Sequence, residues 1–213
     1  MHEENIRLSR TVIKMFELYI IRHGKTVANE KNLYCGATDL ALSRTGKKEI
    51  RKNKEKDIYP PCDAYYTSGM RRCNETLEII TGKDTEFEPI GLLKEIGVGI
   101  FEMKSYEDLK LNKEYIAWIS DKTGNFKCPK GESKNMFYQR VRIGFLGLTQ
   151  RIMSNNHSAA MCITHGGVIT AIMEGLFRDK KNFRDWQPKP GCGYKLTHVE
   201  EAGYISYEVI ESK

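Results

Sequence analysis

"LYIIRHGKT", residues 18–26, drives an apolar and aromatic run straight into Arg22, His23 and Gly24. A continuous apolar run of this length is the pattern of a strand covered on both faces, as in parallel sheets flanked by helices. Burying an arginine and a histidine at the end of such a strand is unfavourable unless both find partners there. A second stretch repeats the arrangement: "MCITHGGV", residues 161–168, carries another apolar run into His165 and then Gly166–Gly167.

Outward from these two runs, strand and helix patterns alternate. Residues 17–22 and 159–164 read as fully buried strands, and residues 62–68 as a shorter one. Residues 43–56 predict a helix with Ser43 as N-cap. "RRCNETLEIIT" predicts another, with Leu77 and Ile80 on one face and Gly82 as its stop. Residues 86–93 read as extended, with Pro89 near an edge. Residues 105–120 predict two short helices inside a cap or insertion spanning 104–127. Residues 131–154 predict a long amphipathic helix, and "GGVITAIMEGLF" a helix that starts directly after the second strand. "CGYKLTHVE" and "YISYEVIE" alternate with period two around Ala202–Gly203, an antiparallel hairpin. The expected fold is α/β: a three-layer sandwich with a mostly parallel central sheet and helices on both faces. Ligands in such sheets bind beyond the carboxyl ends of the strands, where His23 and His165 both fall.

Composition narrows the class. With 213 residues, 40% hydrophobic and 29% charged, the chain has the make-up of a folded domain and not of a disordered one. No apolar run approaches the ~20 residues of a membrane span, and "MHEENIRLSR" lacks the apolar core of a secretory signal. The expectation is a cytoplasmic protein with no membrane partner. The net charge of +6 comes largely from "GKKEIRKNKEK", where Glu49 and Glu55 interrupt the lysines and no aromatic residue interleaves. That is a solvated helix face, so no nucleic-acid partner is expected. Cysteines 35, 62, 73, 128, 162 and 192 form no CxxC and have no histidine at zinc-finger spacing, which reads as reduced thiols.

The polar residues suit a phosphomonoester. A phosphoryl group carries about two negative charges near neutral pH, which guanidinium groups match with paired donors. Its attacker must be close to neutral, as an imidazole is when a neighbouring cation such as Arg22 lowers its pKa. A backbone carbonyl in the Gly24 turn is suited to hold the tautomer of His23, and glycine after each histidine, Gly24 and Gly166, lets the backbone come close to a phosphate. Thr26 and Asn29 add short donors on the same loop, Arg71 stands at a strand–helix junction, and Gly166 opens a helix N-terminus that attracts anions. Glu95, in "LLKEIGVGIFE", precedes a glycine-rich turn and is the candidate general acid. Each of these has an ordinary structural reading by itself; the two His–Gly junctions together favour the functional one. Neither histidine lies in an HxxxH or HExxH pattern, so no metal site is expected.

At these residues the chain resembles the histidine phosphatase superfamily, the phosphoglycerate mutase-like fold. The likeness rests on "LYIIRHGKTVAN", "YCGATDLALSRTGKKE", "YYTSGMRRCNETLEII", "LLKEIGVGIFE", "PKGES" and "ITHGGVI", in that order. It implies one domain over residues 15–213, with residues 1–14 an extension. It further implies a phosphohistidine on His23, with Arg22, Arg71 and His165 neutralising the phosphoryl oxygens and Glu95 as proton donor. No cofactor or metal is implied. The loop of Cys35 and Gly36 falls on the substrate side. Cys35, Ala41, Phe101 and Met103 stand where relatives often carry glutamine, proline, tryptophan and glycine, on the substrate side of the pocket in relatives, so the resemblance does not fix the substrate. "EIGVGIFE" and the short chain are closest to the phosphatase branch, α-ribazole phosphatase-like members included, acting on a small phosphorylated metabolite. A phosphoglycerate mutase is the alternative, and a non-catalytic phospho-ligand module a further one. A dimer stays open. So does the role of Lys104, Tyr106, Tyr115, Trp118 and Lys122, as a substrate-choosing lid or as cap packing.

Overall fold

In a computed structural model of the protein, residues 14–177 and 183–212 are described. Along the chain lie β1 (Met15–Arg22), α1 (Val27–Glu30), α2 (Arg44–Glu55), β2 (Ala64–Thr67), α3 (Arg71–Thr81) and β3 (Glu88–Pro89). Then follow α4 (Tyr106–Leu109), α5 (Lys113–Ser120), α6 (Lys134–Ser154), β4 (Ala159–Thr164), α7 (Gly166–Leu176), β5 (Gly193–Val199) and β6 (Gly203–Ile210). The strands form one six-stranded sheet in the order β3-β2-β4-β1-β5-β6. β1, β4, β2 and β3 run parallel, and the β5–β6 hairpin adds to β1 antiparallel.

The apolar runs are continuous because both faces of the central strands are covered. Leu18 and Ile20 of β1, with Ala160 and Cys162 of β4, pack against Phe137, Val141 and Leu148 of α6 and Val168 and Ile172 of α7. Tyr19 and Ile21, with Met161 and Ile163, face Ile50 of α2 and Cys73, Leu77 and Ile80 of α3 on the other side. Side chains alternate across a strand, so every residue of these runs enters one of the two cores. Each fully buried Leu or Ile contributes about 1.5–3 kcal/mol.

Most predicted elements form close to their expected bounds. Ser43 accepts from the Gly46 N–H as the N-cap of α2, and Ser133 does the same for α6. Residues 86–93 differ: only Glu88–Pro89 pairs, at the sheet edge where the missing proline donor is tolerated, and Gly91–Leu93 coil into a 3₁₀ turn. The cap does carry two short helices, α4 and α5, over a third core of Val98, Phe101, Leu109, Tyr115 and Cys128. Among the described residues no helix is long and apolar enough to cross a membrane. The expected N-terminal extension, residues 1–14, lies outside the described residues apart from Lys14.

Candidate active site

β1 and β4 are adjacent, parallel and in register, with Arg22 opposite Thr164. The next residue of each strand is a histidine, so the register alone brings His23 and His165 together. The His23 N–H donates to the Thr164 carbonyl at 2.9 Å, and the two rings meet edge to face with centroids 5.1 Å apart. Both are buried.

His23 Nδ1 lies 2.7 Å from the Gly24 carbonyl. A carbonyl only accepts, so Nδ1 carries the proton and Nε2 presents a lone pair. Burial holds His23 well below its ordinary pKa; the Arg72 and Arg22 guanidiniums add to the effect and the Gly24 carbonyl opposes it. His165 is also held well below its ordinary value, first by burial and then by Arg72, His23 and Arg22. Arg72 Nε donates to His165 Nδ1 at 3.3 Å, so the His165 proton sits on Nε2 and is given to Ser68 Oγ at 2.8 Å. The buried Cys73 thiol, 3.6 Å from Nε2, is pushed up to about 12 by burial and stays protonated.

The second guanidinium beside the histidines is Arg72 and not the expected Arg71. The Arg71 side chain is 63% exposed and pairs with Glu75 on the outer face of α3. Arg72 is 1% exposed. Besides His165, it donates to the Thr38 and Gly36 carbonyls, each at 2.9 Å. Neighbouring helical residues are rotated by about 100°, so only one of the pair can face the sheet. The signal was in the sequence: Arg71 shares its face with Glu75 and Glu78, whereas Arg72 leads to Thr76 and Ile80 at i+4 and i+8.

Arg22, at the end of β1, donates through Nη1 to the Pro188 carbonyl at 2.8 Å. Its Nε is buried with no partner among the described groups. Burial lowers its pKa, and the Glu95 carboxylate counteracts the shift. Glu95 accepts from the Gly167 and Ile96 N–H groups, each at 3.0 Å. Gly166 and Gly167, the first two residues of α7, are needed for close approach. A Cβ on Gly166 would lie 3.2 Å from Arg22 Cζ, and one on Gly167 only 2.4 Å from Glu95 Oε1. Helix N-terminus, arginine and carboxylate thus converge beside His165.

The other expected residues stand close by but are engaged differently. Gly24 offers His23 its carbonyl, while its own N–H donates to Thr76 Oγ1 at 3.0 Å and is not free for an anion. Thr26 and Asn29 cap the single turn of α1 reciprocally: the Thr26 hydroxyl accepts from the Asn29 N–H, and Asn29 Oδ1 accepts from the Thr26 N–H. That commits both side-chain oxygens to the turn itself. Gly36 anchors Arg72 through its carbonyl, and a Cβ there would fall 1.7 Å from the Ile96 carbonyl oxygen. Cys35 Sγ donates to the Thr38 carbonyl at 3.5 Å within the same loop.

Sequence reasoning left out the groups that hold this loop and the acid. Glu102 accepts from the Gly36, Ala37, Thr38 and Val98 N–H groups and from the Thr38 hydroxyl. Arg140 forks onto Glu132 at 2.7 and 2.9 Å and also donates to the Leu92, Lys94 and Glu95 carbonyls. Glu132 in turn accepts from the Gly97 N–H. The segment bearing Glu95 is therefore clamped from α6. Phe101 is buried in the cap core against Tyr115 and Trp118. Met103 adopts φ +59°, a left-handed conformation in which glycine would be unstrained.

Among known proteins, a model of the histidine phosphatase superfamily (branch 1) matches residues 18–208. The Salmonella typhimurium adenosylcobalamin/alpha-ribazole phosphatase is 24% identical, with 92% of this chain and 96% of the relative covered. The Erwinia tasmaniensis protein named "Probable phosphoglycerate mutase GpmB" is 26% identical, with 76% of each chain covered. In fold, the chain matches the alpha-ribazole phosphatase structure from Shigella flexneri with a TM-score of 0.76 at 22% identity, covering 92% of this chain and 96% of that one.

Proposed function

The chain belongs to the histidine phosphatase superfamily, and we propose that within it the protein is a phosphomonoester hydrolase working through a phosphohistidine on His23. The observation that carries this reading is the neutral, buried His23 with Nδ1–H held by the Gly24 carbonyl and the Nε2 lone pair left to attack. Arg22 Nε, a buried donor without a partner among the described residues, is the kind of group a phosphoryl oxygen satisfies. Arg72 and the first turn of α7 supply the remaining positive potential, a contribution realised most fully as charge spreads over the phosphoryl oxygens. The neutral His165 packs beside His23 and takes an Arg72 N–H on Nδ1.

The cycle starts from the carboxylic acid form of Glu95, which binding of the dianionic phosphoryl group favours over the carboxylate. In the first step Nε2 attacks phosphorus, the ester P–O bond breaks, and the acid gives its proton to the departing alkoxide, leaving the carboxylate. In the second, water attacks phosphorus, the P–N bond breaks, and Glu95 takes the water's proton. Ester and water become alcohol and phosphate, and both side chains return to their starting state. No resident metal or cofactor enters this scheme. Arg71, on the outer face of α3, has no part in it; Arg72 takes that role. Substrate is a small phosphorylated metabolite.

The test is a chemical trap. Acid-labile, base-stable phosphoenzyme should form from a phosphomonoester in the wild type and be missing from His23→Ala, which should also lose turnover. Turnover surviving in His23→Ala would overturn the mechanism. Assaying 3-phosphoglycerate with and without 2,3-bisphosphoglycerate separates phosphate release from the transfer expected of a mutase, the reading that the Erwinia relative's name favours.

A further inference from the structure

A cleft of about 430 Å³ opens beside the cap. Its walls carry the rings of Tyr34, Trp118, Phe126, Phe137, Tyr138 and Phe183, and Ile96 and Gly167 form part of its lining. Those last two residues are the ones whose N–H groups hold the Glu95 carboxylate. The cleft therefore adjoins the place where an ester's leaving oxygen would receive its proton. We infer that it binds a planar aromatic or heteroaromatic group on the alcohol side of the substrate, an assignment that rests on the phosphatase reading above.

The walls are set in advance. The Tyr34 and Tyr115 hydroxyls are hydrogen-bonded at 2.5 Å, and Tyr34 meets Trp118 edge to face with centroids 6.1 Å apart. Tyr138, also on the lining, donates its hydroxyl to Glu174 at 2.5 Å. Rings already fixed lose little conformational entropy when they take up a ligand, and they offer faces and edges to another ring. Of the cap aromatics singled out in the sequence, Trp118 lines the cleft while Tyr115 is buried behind it, so one segment supplies both wall and packing.

Charge in the cleft does not favour a small acid. The charged side chains on its walls are Asp121 and Lys134, of opposite sign. The Lys134 ammonium lies 5.0 Å over the Tyr138 ring, and Asp121 is occupied by the Thr123 and Phe126 N–H groups. A competing cleft of about 450 Å³, lined by Glu95 itself, is polar, with Lys94, Lys130 and Arg140 set against Asp39, Glu95 and Glu132. Arg140 is committed to Glu132 and three carbonyls, but a phosphorylated acid would still favour this side. The two clefts thus predict opposite substrate preferences.

The experiment compares kcat/KM for 2-(2-naphthyl)ethyl phosphate, ethyl phosphate and 3-phosphoglycerate. The first two are primary alkyl esters that ask similar proton donation of Glu95, so their ratio reports the cleft. The naphthyl ester should be favoured over ethyl phosphate about 30-fold, equivalent to about 2 kcal/mol. Phe126→Ser should reduce that ratio at least about fivefold, since the ring is part of the wall. A ratio near one, or a preference for 3-phosphoglycerate over both, overturns the assignment. The corresponding phosphonates, which resist hydrolysis, are titrated by calorimetry in parallel. Tighter binding of the naphthyl phosphonate with no ester turned over would refute the phosphatase reading and keep the cleft; equal binding of the two phosphonates would refute the cleft.

Discussion

Arg72→Lys keeps a positive charge at the carboxyl end of the sheet and removes the planar fork that reaches His165, Thr38 and Gly36 at once. An ammonium is a point charge on a flexible stem and cannot reproduce three fixed directions. A buried carbonyl left without its donor costs about 1–3 kcal/mol. With one of the two carbonyls still served by the new lysine, stability should fall by about that amount. Loss of one oriented donor to a developing oxyanion costs roughly 10²–10³ in turnover, and kcat/KM should fall on that scale. Arg71→Ala is the control one residue away. It removes an exposed i,i+4 pair with Glu75 worth about 0.3–0.5 kcal/mol, and Glu75 keeps Lys47 and the Leu42 N–H. Its turnover should stay within about twofold of wild type, because no charge near the histidines changes. Both variants are assayed by steady-state hydrolysis of p-nitrophenyl phosphate and by urea titration followed by circular dichroism. Equal losses of activity in two folded variants would refute the assignment of Arg72 as the inner guanidinium.

Gly167→Ala should fold yet displace Glu95, since the new methyl would lie 2.4 Å from Oε1. Alkyl phosphates should slow by about 10²-fold, the usual scale of general-acid catalysis, and p-nitrophenyl phosphate far less; equal slowing would mean that Glu95 does not protonate the leaving group. Glu102→Gln keeps one acceptor oxygen where the carboxylate served the Gly36–Thr38 loop and Val98. Losing charge-assisted bonds there should lower stability by about 2–4 kcal/mol, and an unchanged urea midpoint would count against that role. Burial depresses His23, His165 and, more mildly, His198, so the unfolded chain takes up protons at a pH where the native chain does not. Stability should be complete above about pH 6.5 and fall as the pH drops below it, with a slope approaching about 1.4 kcal/mol per pH unit for each fully buried histidine. Urea titrations from about pH 7.5 to 5 measure the slope, and a flat profile would contradict neutral buried imidazoles.

The two apolar runs ending in His–Gly determined a great deal without coordinates. A run with no polar member demands cover on both faces, which means a parallel sheet between helices, and a polar residue following such a run must emerge at the strand's carboxyl end. His23, His165 and Arg22 were legible for that reason, and the Gly24 carbonyl was legible as a partner because it lies one residue from the ring it orients. Sequence patterns of period two and 3.6 likewise marked the hairpin, α3 and α6. Tertiary structure decided what depends on relative placement. The register of β1 against β4 sets the two imidazoles 5.1 Å apart, and no local rule specifies it. The face of α3 that meets the sheet was marked by Thr76 and Ile80, but what Arg72 binds there was not: His165, Thr38 and Gly36 lie 93, 34 and 36 residues away in the chain. Glu102 and Arg140 look like ordinary surface charges in the sequence, because what they bind is backbone, and a backbone N–H or carbonyl leaves no mark on residue identity.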